Sequence, residues 1–126
     1  MMFISLLLTA LLFIILDFGW FQFSLSRFYN PTFKSIQGHE LQMRIGGGIF
    51  AWILLAFAIK HFVHSHVTNS RDAFIQGALL GFVIYGVYNG TNYATFSKYP
   101  MDTFIADTLW GTFVSGTVSY LSWSFL

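Results

Sequence analysis

The chain of 126 residues contains no cysteine and only two prolines, and charged residues make up 9% of it. Without thiols there is no disulfide framework, no thiolate metal site and no cysteine nucleophile. Six Lys and Arg against five Asp and Glu give a formal net charge of +1, and the cations fall singly between apolar runs. That is not the basic face nucleic acid requires, so nucleic acid is excluded as a partner. The same scarcity excludes a water-soluble domain of this size, which needs a charged skin. What is abundant is apolar: 56% of residues are hydrophobic, 21% are aromatic, and the mean hydropathy is +0.64. Such a composition belongs in a lipid bilayer.

A membrane-crossing helix needs about 20 mostly apolar residues. Four such stretches can be drawn, at 3–24, 44–63, 73–94 and 103–124. The fold they predict is all-α, a four-transmembrane-helix bundle forming a single domain over 1–126. A β-barrel would alternate apolar and polar positions in strands of about ten residues, whereas these runs are continuous. No internal repeat divides the chain. Pro31 and Pro100 both fall between the runs, where interrupting a helix costs least. The opening MMFISLLLTALLFIILDFGW has neither a basic leader nor a small-residue cleavage pattern, and reads as a retained first helix. Arg27, Lys34, Arg44 and Lys98 flank the first and third connectors, while Lys60 and Arg71 flank the second. Cytoplasmic loops are richer in Lys and Arg, which predicts both termini on the non-cytoplasmic side.

The segment NGTNYATF, residues 89–96, is too polar for its apolar surroundings. Each helical residue advances about 1.5 Å, so Asp17, Asn89 and Asp107 lie about 5, 8 and 10 Å from the middles of their spans, all toward the first and third connectors. An acid in hydrocarbon costs about 2.5 to 3.5 kcal/mol on insertion scales, so intramembrane acids face the bundle interior and find partners there. The expected polar cluster is Asp17, Trp20, Tyr85, Tyr88, Asn89, Thr91, Asn92, Asp107 and Trp110, with Thr95 a further hydroxyl at that depth. None of these is a cation. The charge is balanced either by a proton or by Arg27 or Arg44 bending inward along a helix surface.

Tyr85, Asn89 and Asn92 follow the i, i+4, i+7 pattern of one helix face, and Gly77 and Gly81 continue that stripe backward. Gly111, Ser115 and Ser119 recur every four residues on the last helix, and Gly46 to Gly48 open the second. Small residues let helices approach closely. Gly77, Gly81, Gly111 and Ser115 are therefore read as helix-packing positions, and Gly77-x-x-x-Gly81 as a candidate contact with a second copy.

Other patterns carry less. His61, His64 and His66 do not share one helix face and have no carboxylate or thiol beside them, so they are read as structural or exposed and no metal is expected. Asn89-Gly90-Thr91 matches a glycosylation sequon but lies inside a span, and the proline of Asn30-Pro31-Thr32 disqualifies that one. No cofactor motif and no nucleophile with a base stand out, so enzymatic chemistry is not the leading expectation and no cofactor is expected.

The combination LDFGW, YGVYNGTNYATF and DTLWGT resembles the small membrane-protein family called domain of unknown function 2177. The resemblance falls on Leu16, Asp17 and Trp20, on Tyr85, Tyr88, Asn89, Thr91 and Asn92, and on Asp107, Trp110 and Gly111. Many members of that family have Asp where this chain has Asn89, which removes one potential charge. The family occurs in bacteria, algae and large DNA viruses of protists, which implies a cellular or viral internal membrane and no particular activity. Two functions fit these readings. One is a structural or assembly protein whose partners are the bilayer, further copies of itself, or other membrane or capsid proteins. The alternative is a small-solute or proton carrier or channel that uses the acid and amide cluster.

Overall fold

A computed structural model describes residues 2–125, so the domain expected over 1–126 is seen without its first and last residues. The order of helices is α1 (Met2–Ser24), α2 (Asn30–Gln37), α3 (Ile45–Ala58), α4 (Ser70–Thr95) and α5 (Met101–Ser122). Short π and 3-10 turns extend them, and α1 and α2 form one continuous rod.

That rod corrects the expectation that the first helix stops near residue 24. Pro31 has no N–H to return to the preceding turn, and a π turn over Leu25–Tyr29 absorbs the defect, with the Asn30 N–H bonded to the Leu25 carbonyl. Pro31 then sits in the first turn of α2, where a missing donor is tolerated. Gly38 ends the rod in a left-handed conformation (φ +87°), its N–H bonded to the Lys34 carbonyl at 2.8 Å. The 36 residues would reach about 54 Å at 1.5 Å each, longer than a hydrocarbon core of about 30 Å. At the other end of the bundle, Asn69 caps α4 by accepting the Asp72 N–H at 2.8 Å.

α4 and α5 form an antiparallel hairpin around the short connector at 96–100, along a seam of small residues. A Cβ at Gly77 would overlap Ser119, one at Gly81 would overlap the Gly111 carbonyl and Ser115, and one at Gly111 would enter the Tyr85 ring. The Ser119 hydroxyl crosses the seam to the Ala73 carbonyl at 2.6 Å. Gly77-x-x-x-Gly81 is therefore occupied within the chain, which corrects its reading as a contact for a second copy. Gly46 and Gly47 instead face open space, and Gly48 meets only the ring of Trp52 one turn away. α1 packs on α3 and α5, with a core of Phe13, Trp52, Ile59, Val63, Val114 and Val118.

Three of the four rods, Met2–Gln37, Ile45–His66 and Ser70–Thr95, are long and apolar enough to cross a membrane. The fourth span expected at 103–124 does not meet that composition. α5 carries Thr103, Thr108, Thr112, Ser115, Thr117, Ser119 and Ser122, and it buries more residues than any other helix. Its hydroxyl-rich side packs into the bundle, while Ile105, Leu109 and Phe113 stay exposed on the other.

The seam makes a testable distinction. Gly81→Val should lower the thermal stability of the detergent-solubilised protein by about 1 to 3 kcal/mol or more, as overpacking does. Gly86→Ala, where an added Cβ meets nothing within 4 Å, should leave stability unchanged or raise it by up to about 1 kcal/mol.

Candidate functional site: a buried acid network beside a lateral cleft

Asp17 on α1 is 5% exposed and Asp107 on α5 is 7% exposed. Every carboxylate oxygen accepts a hydrogen bond from an uncharged donor. The Trp52 indole of α3 donates to Asp17 Oδ2 and the Trp110 indole of α5 to Asp17 Oδ1, each at 2.7 Å. Tyr29, on the π turn, donates to Asp107 Oδ1 at 2.5 Å, and Asn89 Nδ2 of α4 donates to Asp107 Oδ2 at 2.6 Å. A second layer supports the first. Trp20 Nε1 donates to the Tyr29 hydroxyl at 3.0 Å, and its ring stacks on Trp110 with centroids 5.0 Å apart. Tyr99, from the last connector, donates to Asn89 Oδ1 at 2.5 Å. Burial pushes the Tyr99 phenol up to about 12, which keeps it a donor at any physiological pH. The network thus ties all four rods together at one level.

Among the described residues, no cation enters it. Arg27 lies 3.6 Å from Asp102 at the surface and 4.8 Å above the ring of Phe28. Lys34 pairs with Glu40 at 3.0 Å, and Asn30 together with Lys34 holds the exposed Glu40 carboxyl below its usual range. Arg44 is exposed at the start of α3.

Beside the network lies a cleft of about 680 Å³. α4 meets the second rod chiefly through the π turn Ile59–Val63, and toward the opposite end the two diverge. Leu54 of α3 and Ile84 and Tyr88 of α4 line the gap between them, and Leu41 to Met43 line it at the connector end. Asp17, Asp107, Tyr29, Tyr85 and Trp110 form its inner wall.

A model of the predicted membrane protein family DUF2177 matches residues 2–124. The chain belongs to the DUF2177 family. No curated protein and no solved structure matches it. Within this DUF2177 chain, the structure brings together Asp17, Trp20, Asn89, Asp107 and Trp110 through hydrogen bonds, with Tyr85 packed on Gly111 beside them. Tyr88 is 51% exposed and sits on the cleft wall rather than within the network. Asn92 is half-buried, and its Nδ2 has no partner among the described residues. Thr91 is exposed and does not join, because two residues from Asn89 is more than half a helical turn round. Thr95 is also exposed, its hydroxyl turned back to the Thr91 carbonyl. Asn89 donates to one carboxylate, a role an ionised Asp at that position could not fill.

Sequence reasoning missed Tyr29, Trp52 and Tyr99. Trp52 carried a usable signal: an indole N–H in the middle of an apolar span must find an acceptor. Tyr29 and Tyr99 sit in segments that read as connectors and gave none. Of the three histidines, His64 is buried with Nε2 2.9 Å from the Ser119 carbonyl, while His61 and His66 are exposed.

Trp52→Phe should cost about 1 to 3 kcal/mol in unfolding experiments, because it leaves a buried carboxylate oxygen without its donor. Thr91→Val should change stability by less than about 0.5 kcal/mol. A double-mutant cycle between Trp52→Phe and Asp17→Asn should be non-additive by about 0.5 kcal/mol or more.

Proposed function

We propose that this membrane protein is a small solute-binding bundle of carrier type, which admits its solute sideways from the bilayer into the cleft and holds it against Asp17 and Asp107. The observation that carries this reading is that both carboxylates line a cleft between two helices whose outer faces expose large apolar residues. Pockets of a few hundred Å³ with apolar walls and a few convergent polar groups are the usual form of small-molecule sites. Intramembrane acids lining a cavity are in turn a usual mark of ion and solute pathways.

A second reading has its own support. The complete pairing of the four carboxylate oxygens is what a rigid brace requires. On that reading the bundle is a structural or assembly protein, packing with further copies or with other membrane or capsid proteins in a cellular or viral internal membrane.

Labelling with dicyclohexylcarbodiimide, an apolar reagent for carboxyl groups, separates the two. On the carrier reading, the reagent added to protein in lipid vesicles modifies Asp17 or Asp107, as seen by mass spectrometry of the intact chain and its fragments. Ala51→Phe, which adds bulk on the cleft wall at a side chain that makes no hydrogen bond in the network, reduces that modification by about ten-fold or more. If neither acid is modified in the wild-type chain, the cleft is closed to the bilayer and the brace reading replaces the carrier reading.

A further inference from the structure

Resting on the carrier reading, we propose that the solute is an organic cation with a hydrocarbon tail, an amine or quaternary ammonium amphiphile. Charge complementarity is the first argument. The inner wall presents two carboxylates that are more than nine-tenths buried, and the nearby donors are all neutral. The described cations lie elsewhere. Arg27 and Lys34 are paired at the surface, and Arg44, Arg71 and Lys98 are exposed. Lys60 lies eight residues beyond Trp52 along the second rod, about 12 Å down the axis from the network. The group that complements this wall is therefore a positive one carried in by the solute.

The wall's other components fit the same class. Phe21, Tyr29, Tyr85, Tyr88 and Trp110 turn toward the cleft around the two acids, and ring faces attract ammonium groups, most strongly where water is excluded. Leu25, Ala51, Leu54, Leu55 and Ile84 supply the apolar part of the lining, which suits a hydrocarbon tail entering from lipid. An anionic head finds no cation on the lining. Trp110 and Tyr29 already donate to carboxylates and Tyr99 to Asn89, so the lining offers an anion only the neutral Tyr85 and Tyr88 hydroxyls and the Gln42 amide.

The test uses the full chain in uncharged maltoside micelles and four probes of one tail length: octyltrimethylammonium, octylamine, octanol and octanoate. Binding is read by calorimetry, and protection of the acids by carbodiimide labelling. The two cations should bind saturably, at least about ten-fold more tightly than octanol and more tightly still than octanoate, and should slow labelling of Asp17 or Asp107. Asp17→Asn and Asp107→Asn should each weaken cation binding by about ten-fold or more. Should those variants fail to fold, Ala51→Phe leaves the acids in place and should abolish cation binding through the filled wall. Equal affinity for octanol and the cations, a preference for octanoate, or cation binding that survives Ala51→Phe would each overturn the proposal. Labelling of the acids without saturable cation binding, the result expected if a proton alone balances the charge, removes this proposal and leaves the carrier reading intact. Absence of labelling removes the carrier reading itself.

Discussion

The fold depends on placing two carboxylates inside a helical bundle without a cation to meet them. Each must be surrounded by enough donors to replace water, because an unpaired oxygen at that depth carries the full desolvation penalty. Asp17 draws Trp52 and Trp110 toward α1, and Asp107 draws Tyr29 and Asn89 toward α5. Those four donors come from four different elements, so meeting the needs of two acids fixes the relative height of every rod. In lipid, where apolar contact does not distinguish one helix neighbour from another, directed bonds of this kind decide register.

The α4–α5 seam solves a different problem. α5 has too many hydroxyls to be stable against lipid over its whole surface, and its serines and threonines need either a partner carbonyl or a close neighbour. Glycines at 77, 81 and 111 bring the two backbones near enough for both. Ser119 reaches the Ala73 carbonyl, and Thr112 and Ser122 bond one turn back along their own helix. The hairpin thus gives the helix richest in hydroxyls the largest buried share in the bundle and leaves Ile105, Leu109 and Phe113 on its outer side.

Much of this was legible in the sequence, and the reasons differ by residue. Helix existence followed from run length, and the cluster from comparing depths of Asp17, Asn89 and Asp107, since both rest on fixed rise per residue. Gly77, Gly81, Gly111 and Ser115 stood out by spacing, but spacing cannot say which helix fills the groove, and the partner is α5 rather than another copy. Thr91 shares the depth of the cluster, but depth says nothing of direction around the helix, and its side chain is exposed. Tyr29 was lost because Arg27 and Pro31 read as the end of a span. A π turn carries the helix through both, and nothing in local composition announces such a turn.

The network and the cleft have one cause. The second rod is held to the rest of the bundle at two levels, by the Trp52 indole of α3 on Asp17 and by the packing of Ile59 and Val63, on the π turn that follows, in the core. The first turn of α3 carries three glycines after Ile45, and at two of them an added Cβ would meet nothing within 4 Å. α3 therefore leans on α1 while its other side stands away from α4, and the gap opens at the level where the acids lie. Closing it would take bulkier residues on α3 than Ala51 and the half-exposed Leu54 that line it. A brace alone would be served as well by a filled wall. The small Ala51 side chain on the wall is a feature that the hydrogen bonds to the two carboxylates do not call for.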